Sequence, residues 1–372
     1  MKTKALISVL LCTFVMLFAF NAKAQEEEKQ KVEHKFTKLA IETRAEFEYL
    51  NQYQGDTTFQ NYGFNGKYFN LALGGEFGKF SYFFRQRIIA NNGSVRFFDN
   101  TDFLYMQYNV CDSWGFRFGK EALAIGGFEY DAPPIDVLYY TKYWGSIYCF
   151  QLAASVRYTD KAQKNTLVLQ VGNSPYVHFA GSGDEWKKGL LAYSLLWYGD
   201  YGHFHTIYSF NMFERERGKF MGQLALGNKL DFDKWSIYVD YFGKCVDTKK
   251  IVDDFSLVSR LDVKLKDVKI FAKGGYEQNK AEVCDLVSFE QKDILMMPGQ
   301  SYYFYGLGVE YRPANYKNVR LHAYVANAET EQEYVFGPAI STSKTSNLNV
   351  NVGLTWNIDF LKYLKPQFKK EN

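Results

Sequence analysis

Beyond Ala24 the chain has no long apolar run, and no later stretch approaches the roughly 20 residues of a membrane-crossing helix. It also has little net charge. The formal +3 falls to about zero once Lys2, Lys4 and Lys23 are set aside, because residues 1–24 contain no acid. That removes the basic surplus expected of a nucleic-acid binder. Chemistry-bearing motifs are equally thin. His203 and His205 share a strand face with Ser209 and Asn211, but two imidazoles without a nearby carboxylate or thiol make an incomplete metal site. By parity the four look inward, which suits a polar strand better than a hydrolase nucleophile, base and orienter. Gly115–Lys120 has the wrong spacing for a phosphate loop, and Glu121 stands where Ser or Thr is needed. No cofactor, metal ligand set or catalytic residue is expected.

What is present begins with an export signal. Lys2 and Lys4 precede an apolar core from Ala5 to Phe20, and Ala22-Lys23-Ala24 offers a small-x-small cleavage site. Residues 1–24 are therefore expected to be removed, leaving Gln25 first. Cys12 lies inside the apolar core, which argues against lipid attachment at the cut. Residues 25–35 form a charged leader without a burying face. Of the cysteines left, Cys245 and Cys284 fall in successive loops, where an oxidising compartment permits a bridge; four separate thiols fit the sequence as well.

The remainder is written in a two-residue rhythm. From Asn347 to Phe360 the residues Leu348, Val350, Val352, Leu354, Trp356, Ile358 and Phe360 alternate with Asn, Gly, Thr and Asp. Successive strand side chains point to opposite faces, so the pattern describes one oily and one wet side. It also runs longer than the ~5–6 residues of ordinary strands and covers the ~9–11 that a tilted strand needs to cross a bilayer. The rhythm recurs at 36–50, 64–77, 79–89, 101–111, 113–121, 144–158, 164–173, 188–199, 202–213, 219–230, 235–244, 255–266, 268–278, 301–312 and 318–328. About sixteen strands result. Short links, such as Gly78 or Lys266-Asp267, alternate with mostly long ones at 51–63, 122–143, 174–187, 279–300 and 329–346. A transmembrane barrel has this plan: tight periplasmic turns, longer external loops. Aromatics at 18%, with 33 Phe and 29 Tyr, supply its interfacial girdles. The expected fold is all-β, an antiparallel transmembrane barrel over 36–360 with a periplasmic tail at 361–372. Barrels of about 16–18 strands enclose water, which makes passive diffusion of small hydrophilic solutes the expected function.

The third external connection carries Gly119-Lys120, then Gly126-Gly127-Phe128-Glu129-Tyr130-Asp131, then Pro134-Ile135-Asp136. Here the chain resembles the phosphate-selective porin O and P family of the Gram-negative outer membrane. The resemblance implies a sixteen-stranded barrel, commonly trimeric, whose third loop folds inward and narrows the channel. It places Lys120, Glu121, Glu129, Asp131, Asp136 and Lys142 at the constriction. Strand parity independently points Arg44, Arg85, Arg87, Arg117, Arg157, Arg260, Lys264, Lys269 and Lys273 into the bore. Acids outnumber bases in the third loop, so only a weak anion preference is expected. Two rival readings use the same barrel: a non-conducting structural or assembly component of a surface secretion or adhesion complex, and a barrel lipase.

Overall fold

The computed structural model describes residues 34–88, 98, 100–176, 189–244, 253–279, 299–336 and 339–362. The signal segment, most of the leader and tail, and both Cys245 and Cys284 lie outside the described residues.

Strands run β1 His34–Gln54, β2 Thr57–Phe77, β3 Phe80–Arg87, β4 Thr101–Asn109, β5 Trp114–Ala122, β6 Phe150–Thr159, β7 Asn165–Asn173 and β8 Leu191–Tyr201. They continue as β9 Phe204–Glu216, β10 Lys219–Asp231, β11 Trp235–Gly243, β12 Asp254–Leu265, β13 Val268–Asn279, β14 Gln300–Tyr311, β15 Val319–Phe336 and β16 Ala339–Asp359. Each pairs antiparallel with its sequence neighbours, and β1 closes on β16 from Ala40↔Asp359 to Gln54↔Thr345. The described residues thus form a closed barrel of sixteen strands, as the alternation requires. Closure matters because a free sheet edge would leave backbone donors and acceptors unpaired in an apolar medium.

The pleat sorts the side chains as expected. On β16, Val350, Val352, Leu354 and Trp356 are exposed outward while Asn351 and Thr355 are buried inward. On β14, Tyr303, Tyr305, Leu307 and Tyr311 face out and Glu310 faces in. The inner face is not uniformly polar, however. Phe213, Phe242, Val258, Phe271, Phe304 and Tyr324 share the inward parity and are buried. They pack against Leu123, Ile125, Leu138, Tyr143 and Ile147 of the segment between β5 and β6. The barrel therefore has an apolar core inside it, made by one loop lying on one side of the wall.

Four sequence expectations need correction. Residues 51–63 are not a long loop: β1 and β2 continue to a two-residue turn at Gly55-Asp56, where Gly55 takes φ 57°. A glycine at the first central position supplies the positive φ that tight hairpins demand. Residues 329–346 are likewise mostly strand, with β15 and β16 paired to Phe336↔Ala339. Arg217-Gly218 makes another two-residue turn at the loop end, so short and long links do not alternate strictly. Finally, β6 starts at Phe150 rather than near 144, because a helical turn occupies Lys142–Ser146.

Candidate functional site: the third loop and the basic wall

The β5–β6 connection, residues 123–149, contains a helical turn α1 (Phe128–Asp131), a 3-10 turn (Pro134–Asp136) and a second helical turn α2 (Lys142–Ser146). Thr141 caps α2, its hydroxyl accepting from the Trp144 amide at 3.1 Å. Gly126-Gly127 lets the loop meet the wall. The Gly126 amide donates to Ser209 Oγ at 2.8 Å and that of Gly127 to the Ile207 carbonyl at 3.1 Å. Gly127 has φ 96°, and a Cβ there would come within 2.5 Å of the Phe242 ring.

From that contact the loop crosses the bore, tied down at each step. Asp240 on β11 accepts from the amides of Phe128 and Glu129 at 2.9 and 2.8 Å. Unpaired amides open every helical turn, so a carboxylate there satisfies donors that have no partner within the loop. Glu277 on β13 does the same for α2, accepting from Lys142 N and Tyr143 N at 2.5 and 3.2 Å. Glu129 turns to the wall, where it pairs with Lys273 at 2.6 Å and accepts from the Thr141 hydroxyl at 2.6 Å. Further round, Arg320 on β15 binds Asp136 at 2.5 Å and the Ile135 carbonyl at 2.8 Å. Arg44 on β1 donates to the carbonyls of Ile135 and Val137 at 3.2 and 2.8 Å. Half of the inner circumference is consumed in holding the loop.

The other half is open. Between the loop and the wall formed by β2 to β8 lies a cavity of about 820 Å³. Arg85, Arg87, Arg117 and Arg157 line its wall side; Asp131, Pro133, Pro134, Tyr140 and Trp144 line its loop side. Arg85 and Arg87 share one carboxylate, Asp102, at 2.9 and 2.8 Å. Their guanidiniums lie over the rings of Phe103 and Tyr68, at 4.7 and 5.8 Å from the centroids. Arg117 is balanced by Glu121 at 3.1 Å, and Glu121 also accepts from Ser155 at 2.9 Å. Arg157 is exposed to the bore and makes no hydrogen bond or ion pair to a described residue.

The expected site residues therefore separate. Of the six expected at the constriction, Lys120, Glu121 and Asp131 line the cavity, while Glu129, Asp136 and Lys142 lie outside its lining. Lys142 donates to Gln300 and Thr330 at 3.1 and 3.2 Å. Lys120 pairs in register with Leu104 and Leu152, which are exposed outward, and its ammonium donates to the Phe98 carbonyl at 2.5 Å. It reaches the cavity from β5 rather than from the loop. Of the nine basic residues expected in the bore, Arg85, Arg87, Arg117 and Arg157 gather at the cavity. Arg44 and Lys273 are loop anchors. Arg260, Lys264 and Lys269 are paired toward the short-turn end, with Glu310 at 2.9 Å, Asp231 at 3.0 Å and Glu310 at 3.0 Å. Ser209 and Asn211 also hold the loop, Asn211 through the Ala124 carbonyl at 2.8 Å. His203 sits apart at the Asp231 carbonyl.

Comparison with solved structures agrees with this architecture. The chain is similar to an anion-selective porin from Comamonas acidovorans, with TM-score 0.57, 11% identity, and coverage of 88% of this chain and 100% of that one. It is similar to the outer membrane channel DcaP of Acinetobacter baumannii, with TM-score 0.57, 13% identity, and coverage of 89% and 99%. OprB of Pseudomonas putida gives TM-score 0.53, 10% identity, and coverage of 87% and 94%. The fold is that of an outer-membrane porin. No protein-family model matches the sequence, and neither does any curated protein.

Within this porin fold, sequence reasoning missed Arg320, Glu277 and Asp102. Arg320 and Glu277 had an available signal in inward strand parity, whereas Asp102 sits at a register shift between β3 and β4, out of phase with Phe103 and Gln107. Lys142 and Asp131 are among the loop groups with shifted affinities for protons. Burial pushes the Lys142 ammonium down to about 8, against the opposing pull of Glu277. The surrounding protein raises the Asp131 carboxyl above its usual range, while the Tyr198 hydroxyl and Arg157 favour its charged form.

Proposed function

We propose that this protein is a porin of the Gram-negative outer membrane, exported through a cleaved signal peptide, that passes small hydrophilic solutes by passive diffusion. The observation that carries the reading is the open cavity between an anchored third loop and a wall of four arginines. Charges on a low-dielectric wall focus the field and concentrate counter-ions. Arg157 makes no hydrogen bond or ion pair to a described residue, and two guanidiniums divide one Asp102 carboxylate, so the wall carries a surplus of positive charge that Asp131 only partly offsets. A modest preference for anions follows. The finer assignment to the phosphate-selective porin O and P family, and a homotrimeric assembly, rest on the motifs around Gly119-Lys120 and Gly126–Asp131 and on the barrel plan. Glu121, Asp131 and the four arginines form the constriction in this reading.

The test is the reversal potential of the purified protein in a planar bilayer under a KCl gradient. Chloride should be the preferred ion, and the Arg85→Ala, Arg87→Ala, Arg117→Ala triple variant should lose that preference. An unchanged reversal potential in the triple variant would refute the basic wall as the selecting element. Absence of conductance in wild type would instead favour a structural barrel.

A further inference from the structure

The third loop spends its acids on the far wall. Glu129 is bound to Lys273 and Asp136 to Arg320, so neither faces the open cavity. What the loop presents to the bore is Pro133, Pro134, Tyr140 and Trp144, with Asp131 as its acid there. Tyr140 and Trp144 lie with ring centroids 4.7 Å apart at 38°, and Tyr140 is 45% exposed. Tyr68, under the Arg87 guanidinium, neighbours Tyr140. One side of the cavity is thus a shelf of rings and prolines, and the other a row of guanidiniums.

Inorganic phosphate and chloride use only the second side. A free sugar gains from the rings but finds few uncommitted carboxylates or amides for its hydroxyls. A solute with both a flat apolar body and a carboxylate uses both sides together. We infer that the cavity is a subsite for small organic anions carrying a ring, aromatic carboxylates being the simplest members. The ring lies on Tyr140 and Trp144 and the carboxylate meets Arg87 or Arg157. Guanidinium suits a carboxylate because its planar fork matches the two oxygens. This inference rests on the porin reading and narrows its solute.

The experiment measures how strongly added solutes reduce the KCl current through single reconstituted channels. Benzoate, acetate, inorganic phosphate and benzyl alcohol are compared at equal concentrations. Ring stacking should let benzoate act at roughly three- to tenfold lower concentration than acetate. Phosphate should resemble acetate, and benzyl alcohol, which lacks the charge, should be weaker than benzoate. The gap between benzoate and acetate should close in Trp144→Ala and return in Trp144→Phe. Tyr140→Ala, at a more exposed position, provides a second variant if Trp144→Ala does not fold. Equal action of benzoate and acetate in wild type would overturn the proposal, as would a gap that survives both alanine variants. Failure of the porin reading looks different: there would be no KCl current to block.

Discussion

The Glu129–Lys273 pair is the most exposing place to perturb the loop. Both side chains are nearly solvent-free, at 1% and 3% exposure, and lie 2.6 Å apart. Lys273 also donates to the Tyr139 carbonyl. Lys273→Ala therefore strands a buried carboxylate whose other donors are the Thr141 hydroxyl and amide. Breaking a buried pair from one side costs about 3–5 kcal/mol. At about 1.4 kcal/mol per tenfold, the ratio of docked to undocked loop should fall by roughly two to three and a half orders of magnitude. Asp240, Glu277 and Arg320 still hold the loop, so the barrel should close normally. The expected signature is frequent brief closures and larger open-channel noise in single-channel recordings. Replacing both partners, as Glu129→Leu with Lys273→Met, removes the stranded charge and should restore quiet conduction in part. Noise in Lys273→Ala indistinguishable from wild type would refute the reasoning. So would a double variant as noisy as the two single ones combined.

Other outcomes follow from the same geometry. Gly127→Ala puts a Cβ against the Phe242 ring on a backbone with φ 96°, so the loop should seat poorly and protease should cut within 123–149 far faster than in wild type. Gly55→Val removes the residue that takes φ 57° in the β1–β2 turn and should destabilise that hairpin by about 1 kcal/mol or more, read as increased amide exchange there. Lys142 holds its proton less tightly when folded, at about 8 against an ordinary 10.5, so the unfolded chain binds the extra proton between those values. Stability should rise as pH increases from about 8 to 10.5, and Lys142→Met should flatten that rise in heat-modifiable gel mobility.

The barrel was legible because each strand faces two solvents, and a two-solvent strand must alternate. The closing strand Asn347–Phe360 and the wall around Glu310 were read correctly for that reason. What the alternation could not show was the loop's footprint. Val258, Phe271 and Phe304 look like interruptions of a polar inner face, yet they are the seat for Leu123, Leu138 and Tyr143. Their meaning depends on contacts between residues over a hundred positions apart. The division of the basic residues was hidden likewise. Inward parity is common to Arg44, Lys273 and Arg157, but only their partners tell an anchor from a free charge. The extension of β1 and β2 past residue 51 was available in the Gly55-Asp56 pair, a short-hairpin signal set among polar residues.

The loop's anchors have an order imposed by synthesis and export. Glu129 and its amide wait for Asp240, 111 residues later, and for Lys273, 144 residues later; Asp136 waits for Arg320, 184 residues later. Arg44, the last clasp, precedes the loop but reaches its neighbours Arg320 and Thr355 only when the first and final strands meet. Contacts of such separation form late, after the cost of closing long stretches of chain has been met. The segment that shapes the pore therefore comes to rest only on a finished cylinder, and an unfinished one has no fixed aperture.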